Sequence, residues 1–320
     1  LSALNVFLIT LTLMVGTAGL PHVIIRFYTV PKASDARWSA GWALVFIGLL
    51  YTTAPAVAVF SKYNLLNTLA NKPVEEVRQI DWVQKWEQTG LLKLQDKNGD
   101  GILQMSANPD VNEVTIDRDI IVLSTPEVAK LSPFIVGLVA AGGLAAALST
   151  AAGLLIVIAS AISHDLYTRL INPGASEATK LLIARVVIFL VVVLAAPFGI
   201  NPPAFIAQLV AFAFGLAAST FFPAILLGIF DRRMNMQGAV AGMIVGLVFT
   251  ASYIIGTKYL GWPNFILGIT AEGIGAIGML LNFVVAYLVS RATPPPPEEI
   301  QHLVDEIRIP KGSAGSALEH

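Results

Sequence analysis

Apolar residues fill most of this chain in blocks of twenty or more, parted by short polar gaps and by one long polar stretch. The blocks fall at roughly 3–29, 38–61, 132–162, 180–199, 203–230, 237–257 and 266–291. Each holds about twenty predominantly apolar residues, the length an α-helix needs to cross the hydrocarbon core of a bilayer. Backbone polar groups find no partners in lipid, so such blocks fold as helices. The pattern therefore predicts an all-α integral membrane protein with about seven transmembrane helices. Its parts are a broken first helix with a second helix (1–61), a polar segment (62–130), a five-helix block (131–291) and a polar tail (292–311). Residues 312–320 read as an added linker and tag.

Two blocks carry helix breakers. Gly16-Thr17-Ala18-Gly19-Leu20-Pro21-His22 falls within the first, and two glycines and a proline so close together weaken helical hydrogen bonding. Unwound backbone at membrane depth is tolerated where it lines a cavity or is buried in protein, and carriers use such breaks to bind ions and anionic substrates. The alternative is an ordinary packing kink. In the fifth block, Pro223 predicts a second kink that frees carbonyls near Ser219 and Thr220. Gly238, Gly242 and Gly246 recur every fourth residue in the sixth block, which predicts a face for close helix packing.

The polar segment 62–130 contains Trp82 and Trp86 and carries eleven acidic against eight basic residues. It reads as a small helical lid. In the tail, four prolines at 294–297 end the last helix, and Ile300, Leu303, Val304 and Ile307 then recur at helical spacing. This spacing predicts a short amphipathic helix, too acidic in background to favour anionic lipid. Lysine and arginine set the orientation. Arg26, Lys32 and Arg37, then Arg169, Lys180 and Arg185, then Arg232 and Arg233, and finally Arg291 mark alternate gaps. Those gaps are expected on the cytoplasmic side, which places 62–130 outside.

Composition narrows the function classes. Of 320 residues 55% are hydrophobic and 13% charged, against about 25% charged in soluble domains. A net charge of −1 gives no basic footprint for nucleic acid. The chain has no cysteine, hence no disulfide or thiolate chemistry. His22, His164, His302 and His320 form no spaced ligand set, and no phosphate loop or nucleophile motif occurs. An enzyme is not expected. The chain opens at Leu1 without a basic leader, and reads as the continuation of a longer protein.

Two stretches offer oxygen ligands. In 139–167 the helix is built of small residues, which lets other backbones come close. Ser149 and Thr150 sit near its middle, three and four residues after the Ala146 carbonyl. This patch of three oxygens suits a small cation, while hydroxyls bonding back to a carbonyl one turn earlier would account for the same pair. In the polar segment, Asp96, Asn98 and Asp100, with Gly101 and the carbonyl of Ile102, match the first half of a calcium loop. Ala107 stands where that loop needs a glutamate, with Asp110 or Glu113 as substitutes. Asn-Gly and Asp-Gly are equally turn dipeptides.

The run Ala-Ala-Ala-Leu-Ser-Thr at 145–150, followed by Ser163-His164-Asp165-Leu166-Tyr167, resembles the sodium:solute symporter family of proline, sugar and acetate carriers. Gly16–His22, followed by Arg26 and Phe27, is similar to its acetate-carrier branch. The resemblance implies the leucine-transporter fold of two inverted repeats. This chain would supply the second repeat plus two extra helices, and its N-terminal half would be the missing partner. It further implies a sodium ion bound by Ala146, Ser149 and Thr150, with a small organic solute such as a monocarboxylate bound beside Gly16, Thr17, Ala18 and Gly19. The setting would be a bacterial inner membrane. Arg26 is expected to snorkel to the interface or pair with a neighbouring helix, with steadying a carboxylate in transit as the alternative, and neither it nor His22 is expected to hold substrate. A solute-sensing membrane module of a signalling protein is the alternative in a different class.

Overall fold

The first helix breaks where the glycines and proline stand. In the computed structural model, which describes residues 2–25 and 30–307, α1 spans Ala3–Gly19 and α2 Pro21–Ile24. Leu20 between them is extended, with φ −80° and ψ 115°. A residue preceding proline is pushed out of the α region. Pro21 has no N–H to return to the Thr17 carbonyl, which receives instead a long 3.4 Å bond from the Leu20 amide. At its other end α1 is capped by Ser2, whose hydroxyl accepts from the Asn5 amide. Arg26 and the expected tag at 312–320 lie outside the described residues.

The remaining elements are α3 (Ala33–Leu69), α4 (Val74–Arg78), α5 (Asp81–Gln88), β1 (Leu92–Leu94), β2 (Val114–Ile116) and α6 (Ile121–Val128). They are followed by α7 (Pro133–Ser160), a π-helical stretch (Ala161–Ile171), α8 (Glu177–Ile200), α9 (Ile206–Phe230), α10 (Met236–Tyr259), α11 (Gly275–Ala292) and α12 (Glu298–Glu306). Six helices among the described residues are long and apolar enough to cross a membrane. These are α3, α7 with its π-helical extension, α8, α9, α10 and α11. The first expected span is the seventh, shortened by its break. The membrane part is thus all α-helical, as the apolar blocks predict.

Contacts divide the chain into two compact units, Leu1–Thr29 with Val193–His320, and Val30–Val192. In the first, α1 packs on α9, and α9, α10 and α11 pack on one another. The glycines of α10 face inward as expected. A Cβ on Gly238 would lie 2.7 Å from the Ala286 carbonyl, and one on Gly242 or Gly246 would overlap Asn282 or the Ser219 carbonyl. Leu8, Phe212, Tyr253, Ile254, Ile269 and Ile274 form an apolar core above this contact. The last span is shorter than expected, because residues 266–274 are not helical. This stretch turns back over the core and is tied down by polar bonds. Tyr253 donates to the Ile269 carbonyl at 2.7 Å, and Asn5 bonds the Gly268 carbonyl and the Thr270 amide. The tail helix α12 is present, with Val304 buried, Ile300 and Leu303 exposed, and Asp305 paired to Arg232 at 2.7 Å.

In the second unit the polar segment differs from an all-helical lid. Residues 62–69 belong to α3, whose helix runs past the expected edge at 61. The rest is a small mixed domain in which β1 and β2 pair antiparallel. Leu69, Val77, Trp82, Val83, Trp86, Leu92 and Leu103 fill its core, with Trp82 and Trp86 edge to face at 4.6 Å. Three-residue strands are too short for an alternating pattern to stand out from the turns around them. α6 links this domain to both α3 and α7.

Candidate functional site

The expected substrate residues separate onto two sides of α1. Gly16 and Gly19 are buried against α9. A Cβ on Gly16 would overlap the Phe214 carbonyl, and one on Gly19 would lie 2.7 Å from the Ala217 carbonyl and 3.1 Å from the Phe222 amide. These glycines serve close approach of two backbones. Thr17 and Ala18 lie on the exposed side, and the Thr17 hydroxyl donates to the Leu13 carbonyl at 2.8 Å. Leu20 and Pro21 of the break line an open groove of about 530 Å³ together with Leu216, Ala217 and Thr220 of α9 and Leu247 of α10, among others. Its lining side chains are apolar apart from Thr220, whose hydroxyl is spent on the Leu216 carbonyl at 2.6 Å. A carboxylate would lose hydration there without compensation.

Ala146, Ser149 and Thr150 stand together on α7, all exposed within their unit. So are Gly142, Ala145, Ala147, Ala151 and Ala152 around them. The α-helix continues unbroken through the patch and changes to π-helical winding at Ala161. That change falls on the Ser163–Tyr167 motif, where the His164 Nδ1 and Asp165 carboxylate meet at 2.9 Å and the Thr168 hydroxyl reaches the Ser163 carbonyl. The periodicity of an apolar run does not reveal this winding, which frequently accompanies functional sites.

The acidic turn at 96–102 is folded by its own side chains. Asp96 accepts from the Gly99 and Gly101 amides at 2.7 and 2.8 Å, Asn98 from the Asp100 amide, and Asp100 from the Ile102 amide. Glu113, buried, accepts from the Lys97 and Asn98 amides with one oxygen and from Gln104 with the other. Gly99 and Gly101 hold positive φ of 75° and 74°, as such turns require. Among the described residues no group of three or more His, Cys, Asp or Glu side chains is arranged to hold a metal. The turn accounts for these residues, and calcium gains no support.

The sequence reading missed a charged cluster that ties the stretch after α10 to α9 and α10. Lys258 pairs with Glu272 at 2.9 Å, and Gln208 donates to the same carboxylate at 2.5 Å. Burial works against the Glu272 charge, but the bonds from Gln208 and Lys258 outweigh it and hold the carboxyl at about 2, below the ordinary 4.5. Glu272 falls within the block expected to be helical from 266, and its partners come from two other helices.

The model of the sodium:solute symporter family matches residues 105–246, which include α7 and its hydroxyl pair. The chain is recognisably of that family. An uncharacterized symporter of Cupriavidus necator is 41% identical over 313 residues, covering 95% of this chain and 45% of its own length. A monocarboxylic acid transporter of Corynebacterium glutamicum is 31% identical over 252 residues, covering 75% of this chain and 36% of its own. This chain thus spans less than half the length of either relative, and both are named as transporters rather than enzymes.

Proposed function

We propose that this chain forms the C-terminal part of a sodium-coupled symporter for a small organic solute, a monocarboxylate such as acetate, in a bacterial inner membrane. The observation that carries the reading is the face of α7. Its small residues, with Ala146, Ser149 and Thr150 among them, are exposed within their unit, inside the stretch that the family model matches. Sodium would be held there by neutral oxygens, completed by carbonyls of the N-terminal half, on the leucine-transporter plan of inverted repeats. The name of the Corynebacterium relative supports the substrate class.

The solute would bind beside the α1 break on the side of Thr17 and Ala18, with Gly16 and Gly19 seating that break on α9. The apolar groove behind it offers nothing to a carboxylate. Sodium occupancy would stabilise the outward-open form, and low cytoplasmic sodium would drive release of both ligands. The polar domain between α3 and α7 lies outside the membrane on this reading.

The test uses the full-length carrier in vesicles. Acetate uptake is expected to follow an imposed sodium gradient. Ser149→Ala and Thr150→Ala each remove one neutral ligand, which costs about 1–3 kcal/mol in a dry site. The sodium needed for half-maximal uptake should rise roughly tenfold to a hundredfold. Unshifted sodium curves in both variants would leave the hydroxyls as a back-bonding pair and remove the ion site.

A further inference from the structure

Pro223 lies inside α9, and its ring nitrogen has no hydrogen to donate to the carbonyl of Ser219, four residues earlier. That carbonyl is nevertheless bonded. The side-chain amide of Asn282, on α11, donates to the Ser219 carbonyl at 2.8 Å and to the Thr220 carbonyl at 2.9 Å. Asn282 has no exposed surface. Two acceptors face it, so its NH₂ must point at α9 and its oxygen away. The oxygen has no hydrogen-bond donor and rests against Gly242 of α10, where any side chain would overlap it. Gly246 makes way for the Ser219 carbonyl in the same manner, and Gly278 for Ser219 and Thr250. Three helices thus converge on one amide.

The same turn of α9 carries the broken helix on its other side. Gly19, the last residue of α1, sits on the Ala217 carbonyl and the Phe222 amide, which bracket Ser219 and Thr220 in sequence. Thr220 also lines the groove together with Leu20 and Pro21. We infer that Asn282 is a positioning residue. It stands in for the backbone N–H that Pro223 lacks, and so ties the proline turn of α9, on which the α1 break is seated, to the α10–α11 pair. The α10 glycines are spaced to admit this amide, which gives them a purpose beyond close packing. Asparagine suits the place where its relatives in shape do not. Leucine has no donor, and aspartate would set a negative charge against two carbonyl oxygens. That this seat bears on transport rests on the proposed substrate role of the break. The mechanical link does not.

A cycle between positions 282 and 223 tests the link, because Pro223→Ala restores an N–H to the Ser219 carbonyl and makes the amide dispensable. The chain has no cysteine, so spin labels on Val23→Cys and Val240→Cys report the seat of α2 against α10. In the parent, the distance distribution should be narrow. Asn282→Leu should broaden or shift it. The double variant Pro223→Ala with Asn282→Leu should return it to that of Pro223→Ala alone. Equal broadening by Asn282→Leu with either residue at 223 would overturn the inference, since a purely space-filling asparagine predicts it. Should Asn282→Leu fail to fold, Asn282→Ser, too short to span both carbonyls, replaces it in the same cycle. In the full-length carrier, acetate uptake should fall about tenfold in Asn282→Leu and recover in the double variant. A distance cycle that holds while uptake is unmoved by any of these changes would keep the link and remove the break from the substrate path.

Discussion

The two units carry helices of like apolarity and opposite fates. The most apolar window of α8 has a mean hydropathy of 2.8 yet is 6% buried, and that of α3 reaches 2.0 with none of it buried. In α11 the value is only 1.5, and 39% of the window is buried, while α9 and α10 reach 44% and 33%. Apolarity therefore selects a helix for the membrane without deciding what it packs against. Lipid tails are as apolar as leucine, so contact between helices follows from close backbone approach and buried polar bonds. The α9–α11 bundle has both, in Gly238, Gly242, Gly246 and Asn282. α3 and the second unit's part of α8 present large side chains such as Trp42, Phe46, Phe189 and Leu190, all exposed. α7 has the composition of a packed helix and the exposure of a bare one. The proposed N-terminal half of the carrier would cover that face.

The largest effect expected from this comparison is at glycine. Gly246→Leu drives a side chain into the Ser219 carbonyl and should abolish folding of the bundle, because such overpacking cannot be relieved at backbone. Gly142→Leu on α7 meets nothing within 4 Å in this chain. It should leave the thermal unfolding of the chain unchanged, yet impair uptake by the full-length carrier. Loss of both chains alike, or of neither, would erase the distinction between the units.

A smaller effect is expected in the polar domain, which supplies the second unit with its core. Glu113→Ala leaves the amides of Lys97, Asn98 and Gln104 without their acceptor, two of these bonds being 2.8 and 2.9 Å long. The cost should be about 1–3 kcal/mol, from part-buried amides losing a charged acceptor. Limited proteolysis should then cut within 95–113 while α9–α11 stay intact. Cleavage spreading to the bundle would show that the units do not unfold separately.

The smallest effect concerns the stretch over the first unit's core. The Glu272 carboxyl is held at about 2, against the ordinary 4.5. Its charge therefore contributes stability above pH 4.5, and that contribution is lost as pH falls toward 2. Glu272→Gln should lower stability at pH 7 by about 1–2 kcal/mol after solvent screening. Melting curves of parent and variant should converge as pH approaches 2. A difference that stays constant down to pH 2 would mean that shape, not charge, sets the role of Glu272.

Much was legible from the chain alone. Helix number, the break at Gly16–Pro21, the α10 packing face and the tail helix are local matters. Each follows from a hydrophobic length, a missing N–H or a spacing of small residues, and such signals are written within one turn or one span. The family likeness at 145–150 and 163–167 was legible in the same way. Tertiary structure decided where partners came from far away. Gly16 and Gly19 became a seat because the Phe214 and Ala217 carbonyls, some two hundred residues on, press against them. The strands at 92–94 and 114–116 exist only as a pair. Lys258 and Glu272 read as separate charges until the chain turned back before α11. In the sequence Asn282 is one polar residue in an apolar run. Its meaning lay in a proline on another helix, because a missing donor is a local fact and the group that replaces it is not.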